Sequence, residues 1–333
     1  MINTRKKYHV YGLGNALVDY EYLVEDTLLN QFHLTKSSMT LIDEQLRRTL
    51  FENLSNFKKK KGGGSAANTL LALAQLGARV CYSCKVGSDD DGEFYLNDLS
   101  TQGVDHHVKK STVSEGVTGS CIVLVTPDAE RTMCTYLGAT AGYNSQEINW
   151  DYFQNSEYLY IEGYLFCSDL GTDAVKKSLA FAEEHKIKIA LTCSDAGVVE
   201  TFRSRFESCL VKPIDLIFCN EAEALALTQK QDIHAALQGL KKFAKQIVIT
   251  RSAKGALIYN ANQIIEVPGK KVTPIDANGA GDMFAGAYIY GLTQQWNEKK
   301  AAEFACHCAS EVIQVYGPRL EKQSMLSIAQ QYL

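Results

Sequence analysis

The chain has little that would divide it into separate parts. Only five of its 333 residues are proline, no stretch combines proline, glycine and serine in the manner of a linker, and no segment repeats another. Linkers between domains usually have such a composition, and repeat proteins show a fixed period. We therefore predict a single domain over residues 1–333, long enough to bury a large hydrophobic core.

Long apolar runs and an excess of one charge are also missing. No run reaches the ~18 residues of a membrane-spanning helix. The N-terminal MINTRKKYHVYGLG lacks the apolar segment of a secretory signal. The formal net charge of −4 argues against binding to nucleic acid. We expect a cytoplasmic protein with a small-molecule substrate, no nucleic-acid or membrane partner, and a monomeric or homodimeric state.

The ten cysteines lack the spacing of a metal site. Cys81 and Cys84 form a C-x-x-C pair inside a predicted strand, but no second pair follows at zinc spacing. Cys306, His307 and Cys308 are consecutive in a helical pattern, so their side chains point in different directions. We expect reduced and mostly buried thiols.

Short apolar runs alternate with helical patterns along most of the chain. Helical spacing is clear in TDAVKKSLAFAEEHK (172–186) and EAEALALTQ (221–229). Strand character is clear in YHVYGLG (8–14), RVCYSCKVG (79–87), YLYIEG (158–163), IKIALTC (187–193), DLIFCN (215–220) and QIVITR (246–251). This alternation predicts an α/β fold, with a mostly parallel central sheet flanked by helices on both faces.

One segment departs from this alternation. TGSCIVLVTPDAERTMCTYLG (118–138) has a period of two on both sides of Pro127 and Asp128, which predicts a β-hairpin. With the strand-like residues between Asp19 and Leu41, it would form a second, small sheet. We predict that segments of about 15–60 and 105–140 build this sheet and form a lid over a cleft.

Polar residues follow the carboxyl ends of five predicted strands. Ligands of open α/β sheets bind at that edge. Loops are polar in most proteins, but five polar ends at one edge favour a cleft that recognises hydroxyl or phosphate groups. The residues are Asn15, Asp19, Glu162, Ser194, Asp195, Asn220, Glu223 and Thr250.

A lysine run stands directly before a glycine run in KKKKGGGSAANTLLALAQLG (58–77). We predict that lysines 58–61 form the solvated end of a helix in EQLRRTLFENLSNFKKK (44–60), because cations suit a helix C-terminus. The glycines precede an apolar helix that stops at Gly77. They let backbone approach a ligand closely, with Asn68 in the first turn aimed at the same cavity. A tight turn that requires positive φ is the structural alternative.

A second glycine-rich turn lies in TPIDANGAGDMFAGAYIYGL (273–292). Small residues at a helix N-terminus present backbone amides and the positive end of the helix dipole to an anion. Asp282 stands at the mouth of this predicted anion site. It could cap the helix, but the position favours a general base that takes a proton from a hydroxyl attacking a phosphate.

Two familiar nucleotide motifs are missing. No G-x-x-x-x-G-K-[ST] sequence is present. Gly12 and Gly14 lack the third glycine of a Rossmann turn, and Asp19 comes too early to bind a ribose in that fold. A nicotinamide-dependent oxidoreductase is therefore the least favoured function.

From about Tyr8 to about Arg319 the chain resembles the ribokinase-like (PfkB) family of carbohydrate and nucleoside kinases. The two signatures of that family match GGGSAANTLLALAQLGARVCYSCKVGSDDDGEF (62–94) and DANGAGDMFAGA (276–287), and its N-x-x-E motif matches residues 220–223. Within the family the chain is most similar to bacterial adenosine kinase-like members, through GLGNALVD (12–19), SMTLID (38–43), VTPDAERTM (125–133) and ASEVIQVYGPR (309–319).

The resemblance implies a ribokinase-like fold and an enzyme that uses ATP and Mg²⁺. Asp282 would deprotonate the primary hydroxyl of the substrate, and the amides of Gly279, Ala280 and Gly281 would stabilise charge on the γ-phosphate. Glu223 would organise Mg²⁺ through water. The ATP site would be lined by Asn220, Thr250, Ser252, Gly255 and Asn278.

The resemblance also implies how the substrate is held. Its hydroxyls would be bound by Asn15, Asp19, Gly63, Gly64, Ser65 and Asn68, with Glu162 and Arg131 nearby. A monovalent cation such as K⁺ would lie near Asp276. Ala277 departs from the family pattern, which has threonine there, so cation activation and the order of this loop are open questions.

These residues predict phosphoryl transfer to the 5′-hydroxyl of a nucleoside, with adenosine as the favoured substrate. The alternative is a sugar kinase of the same family that acts on ribose, fructose or a related carbohydrate. A non-catalytic binding protein on the same fold is less favoured, because Asp282 and its glycine turn are present.

Overall fold

The computed structural model describes residues 6–108, 116–128 and 130–333. The described chain forms two β-sheets and a set of α-helices. The larger sheet contains β1 (Tyr8–Leu13), β5 (Val80–Ser83), β6 (Val104–His106), β9 (Ser156–Glu162), β10 (Lys188–Thr192), β11 (Ile214–Asn220), β12 (Ala244–Thr250), β13 (Ala256–Asn260) and β14 (Gln263–Val267). The small sheet contains β2 (Leu17–Leu23), β3 (Met39–Leu41), β4 (Phe57–Gly62), β7 (Gly119–Val125) and β8 (Arg131–Tyr136).

The described α-helices are α1 (Asp26–Gln31), α2 (Glu44–Asn53), α3 (Ser65–Gln75), α4 (Asp90–Thr101), α5 (Trp150–Gln154), α6 (Asp169–Glu184), α7 (Ala196–Cys209), α8 (Glu221–Thr228), α9 (Ile233–Leu240), α10 (Ala280–Thr293), α11 (Glu298–Val312) and α12 (Lys322–Gln330). Five of the described α-helices, α4 and α6 to α9, connect strands of the larger sheet, and α10 to α12 follow its last strand. Each of the six predicted apolar runs coincides with a strand.

The larger sheet has the order β14-β13-β12-β11-β10-β9-β1-β5-β6. Neighbouring strands pair in parallel along the part of this order that runs from β12 through β1 to β6. The pairs β12–β13 and β13–β14 are antiparallel. The strands in the middle are buried on both faces, which explains their nearly continuous apolar sequences. The predicted mostly parallel sheet is confirmed, and the antiparallel extension at its edge was not predicted.

Two cores lie on opposite faces of the larger sheet. In β11, Leu216 and Phe218 pack into one core, while Ile217 and Cys219 pack into the other. The first core is completed by α3, α4, α10, α11 and α12, and the second by α5 to α9. Because side chains alternate along a strand, each strand contributes to both layers. The predicted flanking of the sheet by helices on both faces is confirmed.

The small sheet has the order β3-β8-β7-β2-β4. The antiparallel pair of β7 and β8 is the predicted hairpin. In β7, Ile122 and Leu124 point to an apolar cluster with α1 and α2, whereas Cys121 and Val123 point to the opposite face. The strand-like sequence between Asp19 and Leu41 forms β2 and β3, and α1 lies between them.

The prediction for the lysine run is wrong. The helix α2 ends at Asn53, and lysines 58–61 lie in strand β4, which pairs antiparallel with β2. Lys59 forms an ion pair of 3.2 Å with Glu21 on β2, and Lys60 forms one of 2.6 Å with Asp91 on α4. These acidic partners are distant in sequence, and pairing with β2 outweighs the local helical tendency.

All ten cysteines are free thiols, and nine of them are buried. Burial raises the pKa of Cys81 to about 12 and that of Cys134 to about 11, so these side chains are neutral hydrophobic residues at ordinary pH. None of the described helices combines the length and hydropathy needed to cross a lipid bilayer.

Candidate active site

A cavity of about 320 Å³ lies between the small sheet and the carboxyl ends of β1, β9, β10 and β11. Its lining includes thirteen of the predicted site residues. They are Asn15, Asp19, Gly64, Ser65, Asn68, Glu162, Asn220, Glu223, Asn278, Gly279, Ala280, Gly281 and Asp282. The remaining predicted residues, Gly63, Arg131, Thr250, Ser252, Gly255 and Asp276, lie outside this lining.

Asp282 lies in the first turn of α10 and is held from α3. Its Oδ1 accepts a hydrogen bond of 2.6 Å from Ser65 Oγ, and its Oδ2 accepts one of 3.1 Å from Asn68 Nδ2. Burial raises the pKa of Asp282 to about 6, although these two hydrogen bonds oppose the shift. The carboxylate is therefore bound to another helix instead of capping its own, and its affinity for a proton suits a general base at neutral pH.

The start of α10 offers free backbone donors beside Asp282. Gly279 adopts φ +75° as the N-cap residue, and Pro318 packs where a side chain at this position would lie. The amides of Gly281 and Asp282 form no hydrogen bond with any residue that the structure describes. A Cβ atom added at Gly281 would have no neighbour within 4 Å among the described residues outside the adjacent backbone, so space is open beside these amides. Such a helix start can receive an anion.

Glu162 organises the floor of the cavity. Its Oε1 accepts hydrogen bonds from the backbone N and the Nδ2 of Asn15, at 3.1 and 3.0 Å, and its Oε2 accepts one of 2.8 Å from the amide of Ala66. Thr140 Oγ1 donates to Asn15 Oδ1 at 3.1 Å. Burial raises the pKa of Glu162 to about 7. Glu162 thus links the end of β1, the start of α3 and β9 through hydrogen bonds at the cavity.

Asp19 reaches the cavity from the small sheet. Its carboxylate lies where a side chain at Gly63 would be, so only glycine at 63 allows this approach. Gly64 adopts φ +94°, and a Cβ atom there would come within 2.5 Å of the carbonyl oxygen of Asn15. Burial raises the pKa of Asp19 to about 7, against the attraction of Arg319, Arg131 and Lys61. The structural interpretation of this turn is confirmed by the positive φ of Gly64, and ligand binding by the turn stays a prediction.

Asn220 and Glu223 form a capping box at the start of α8. Glu223 Oε2 accepts from the Asn220 amide at 3.0 Å, and Glu223 Oε1 accepts from Asn220 Nδ2 at 2.7 Å. Burial raises the pKa of Glu223 to about 7, and the charges of Asp195 and Asp282 add to the shift. Carboxylate and amide oxygens are the donors that Mg²⁺ prefers, so this pair fits a magnesium ion carried by phosphates.

Thr250, Ser252 and Gly255 lie next to the cavity along the sheet edge. Thr250 ends β12 directly opposite Asn220 in β11. Ser252 and Gly255 adopt φ +50° and +90° in the turn between β12 and β13. Their position near Asn220 is compatible with a nucleotide that extends from the cavity across the ends of β11 and β12.

Two predicted residues form an ion pair with each other. Arg131 Nη2 on β8 lies 2.9 Å from Asp276 Oδ2, and also 3.3 Å from Glu21 on β2. Arg131 is thus bound to the loop that leads into α10 instead of lining the cavity. Asp276 is buried in the loop that leads to Gly279 and the start of α10.

Arg319 was not predicted as a site residue. Its Nε donates to Asn68 Oδ1 at 2.9 Å, its Nη1 forms an ion pair of 2.7 Å with Asp98, and its Nη2 donates to the carbonyl of Gly62. It therefore orients the amide that Asn68 presents to Asp282. Arg319 is 251 positions from Asn68 in sequence. The one sequence signal for it was its position in the ASEVIQVYGPR segment that resembles the family.

The wall opposite these polar groups is apolar, and the sequence did not reveal it. Side chains from β2, β3, β7 and β8 contribute most of it, because one face of the small sheet is turned toward the cavity. They are Leu17, Met39, Leu41, Cys121, Val123, Met133 and Leu137. The cavity therefore has one side suited to hydroxyls and one side suited to a flat apolar group.

A half-buried carboxylate of raised pKa lies beside free helix-start amides at the carboxyl edge of a mostly parallel sheet. This arrangement defines the class of protein as a group-transfer enzyme for anionic donors. Comparison with known proteins specifies the family. The sequence profile described as pfkB family carbohydrate kinase matches residues 39–324, and the chain belongs to this family of kinases. The predicted family, ribokinase-like fold and kinase activity are confirmed.

Individual relatives agree with this assignment. Adenosine kinase of Saccharomyces cerevisiae is 27% identical over 328 residues, which cover 92% of this chain and 95% of the yeast protein. The crystal structure of adenosine kinase from Sinorhizobium meliloti is 31% identical, has a TM-score of 0.91 and covers 98% of this chain and 100% of its own. A probable sugar kinase from Rhizobium etli is 30% identical, with a TM-score of 0.92 and the same coverage.

Proposed function

We propose that the chain transfers the γ-phosphoryl group of ATP to the 5′-hydroxyl of a nucleoside, with adenosine as the preferred substrate. The observation that carries this proposal is the position of Asp282, which is half-buried, held by Ser65 and Asn68, and adjacent to the free amides of α10. The adenosine kinases of Saccharomyces cerevisiae and Sinorhizobium meliloti support the choice of substrate.

Asp282 would take the proton of the attacking hydroxyl. Ser65 and Asn68 fix the orientation of the carboxylate, and Arg319 fixes Asn68 in turn. The amides of Gly279, Gly281 and Asp282 would lie against the transferred phosphoryl group, where negative charge develops. The amide of Ala280, which the family resemblance assigns to the same role, donates instead to the carbonyl of Ala277 at 3.3 Å. After transfer the proton remains on Asp282 and passes to solvent when the product leaves.

Asn220 and Glu223 would hold Mg²⁺, Glu223 through water, and Thr250, Ser252, Gly255 and Asn278 would line the nucleotide site. When bound, the ion neutralises charge on the ATP phosphates. The capping box engages Asn220 Oδ1 and both carboxylate oxygens of Glu223, so the positions of the two side chains are fixed before a ligand arrives. The carboxylate of Asp19 and the amide of Asn15 would accept and donate hydrogen bonds to the ribose hydroxyls.

The apolar wall favours a nucleoside over a free sugar. Its aliphatic and sulfur-containing side chains offer a surface for a heteroaromatic base, whereas a sugar alone would place hydroxyls against them at a desolvation cost. The polar floor alone would serve either substrate. The Rhizobium etli protein keeps the sugar-kinase alternative as a specific second candidate.

A panel of nucleosides and free sugars tests the proposal. Formation of ADP is measured by a coupled assay with each acceptor at several concentrations, and the phosphorylated product is identified by mass. We expect kcat/KM for adenosine to exceed that for ribose or fructose by at least about 100-fold. Efficient turnover of a ketose without turnover of adenosine would replace the proposal by its alternative.

A further inference from the structure

Three nitrogen donors surround the carboxylate of Asp276. The amide of Asn278 donates to Oδ1 at 3.0 Å, the amide of Gly317 donates to Oδ2 at 2.6 Å, and Arg131 Nη2 lies 2.9 Å from Oδ2. The side chain of Asp276 is only 2% exposed. Its charge is thus satisfied within the protein by one guanidinium and two peptide groups.

These contacts do not fit the monovalent cation that the family resemblance implies for this position. A cation such as K⁺ requires oxygen ligands, but the atoms that face Asp276 are N–H donors. Ala277 adds no hydroxyl to the loop. A second positive charge beside the same carboxylate would also lie close to the guanidinium of Arg131 and be repelled by it.

Arg131 comes from a different part of the molecule than the loop it binds. It begins β8 of the small sheet, where Glu21 also contacts it at 3.3 Å and Lys59 in turn contacts Glu21 at 3.2 Å. Asp276 begins the loop that leads to Gly279 and the start of α10. The ion pair therefore joins the small sheet directly to the predicted anion site.

We propose that Arg131 takes the place of the monovalent cation, neutralising Asp276 and positioning the loop of Gly279 from the small sheet. The kinase is then independent of K⁺. Arg131 is a positioning residue here, since it acts on the amides of the loop through Asp276. This proposal concerns the same site as the proposed function. Its turnover measurements rest on that function, whereas its unfolding measurements do not.

The wild-type protein is first compared in potassium, sodium and choline chloride at equal ionic strength. We expect initial rates with ATP and adenosine to agree within about twofold in the three salts, and the thermal midpoint of unfolding to show no shift specific to K⁺. A stimulation by K⁺ of about tenfold or more would overturn the proposal.

Arg131→Met removes the guanidinium and keeps most of the length of the side chain. We expect kcat in choline chloride to fall by about 10-fold or more, with partial recovery in K⁺ or added guanidinium, and a midpoint of unfolding that K⁺ now raises. Lys36→Met is the matched control, because Lys36 pairs with Asp26 and Asp128 at the periphery of the small sheet.

An Arg131→Met protein that keeps the wild-type rate and shows no response to K⁺ would refute the role of Arg131. If the wild-type protein does not phosphorylate adenosine in any salt, the proposed function fails. In that case, the midpoints of thermal unfolding of the wild-type protein and of Arg131→Met, measured with and without K⁺, still test whether Arg131 takes the place of the cation.

Discussion

At the scale of single residues, the proposed mechanism depends most on Asp282 as the general base. Asp282→Asn retains the size of the side chain and its contacts with Ser65 and Asn68 in part, but removes the proton acceptor. We expect kcat to fall by roughly 100-fold or more while the Kd for adenosine, measured by calorimetry, changes little. Asp173→Asn on the exposed face of α6 is the control and should keep the wild-type rate. An unchanged kcat in Asp282→Asn would exclude the general base.

The pH dependence of the rate follows from the same carboxylate. A general base acts only when deprotonated, and burial raises the pKa of Asp282 to about 6. We therefore expect kcat to be constant above this pH and to fall about tenfold for each pH unit below it. Because the pKa of Asp19 is raised to about 7, kcat/KM should begin to decline at a higher pH than kcat. Coincident profiles with no acid limb would contradict this assignment.

Sequence reasoning predicted the residues of the site better than their contacts. Asp282, Asn68 and the glycine turns carry local signals, such as small residues before an apolar helix, and the structure brings them to one cavity. Arg319 gives no such signal, because its partners Asn68 and Asp98 are more than two hundred positions away. Arg131 was placed near the substrate, but its pairing with Asp276 depends on how two sheets meet.

At the scale of secondary-structure elements, the start of α3 depends on glycine. Gly64 and Gly77 adopt almost the same φ, +94° and +91°, but only Gly64 has a close neighbour, since a Cβ atom added there would lie 2.5 Å from the carbonyl oxygen of Asn15. We expect Gly64→Ala to lower the free energy of unfolding by about 3 kcal/mol. Gly77→Ala should cost about 1 kcal/mol, since it meets only the backbone strain. Urea denaturation of both variants measures the difference, and equal losses would show that the contact with Asn15 is unimportant.

The small sheet should respond to substrate. One face of the hairpin β7–β8 lines the cavity through Val123 and Met133, so a bound nucleoside would stabilise it. We propose that this sheet acts as the lid, which would keep water from the phosphoryl group. Hydrogen exchange should slow in β7 and β8 when adenosine is added and stay unchanged in α12, which contributes no residue to the cavity lining. No change in β7 and β8 would contradict a lid.

The lysine strand shows why elements at the periphery are hard to predict. Lysines 58–61 have neither a period of two nor a high strand propensity, and the preceding helical pattern suggests that the helix continues. Their strand conformation depends on Glu21 and Asp91, which lie in other elements. By contrast, the central strands are apolar because both of their faces are buried, and this property is visible locally.

At the scale of the whole molecule, the strands of the larger sheet that the sequence predicted all lie in the two hydrophobic cores. The six apolar runs and the alternating helices determine a mostly parallel sheet with two helical layers. The antiparallel strands β13 and β14 lie at the sheet edge, where the outermost strand is largely exposed, and the sequence pattern there is weaker. The relative position of the two sheets, which creates the cavity, has no local signal at all.

The surfaces of the small sheet predict the oligomeric state. Its outer face is covered by α1 and α2, which enclose Leu29, Leu50, Ile122 and Leu124. Its edge strand β4 presents lysines, and charged side chains on an edge oppose pairing with a second sheet. We expect the protein to sediment with the mass of one chain at micromolar concentration, with or without adenosine. A mass of two chains in analytical ultracentrifugation would contradict this prediction, and persistence of that mass after Leu23→Lys, at the exposed end of β2, would locate the interface away from the small sheet.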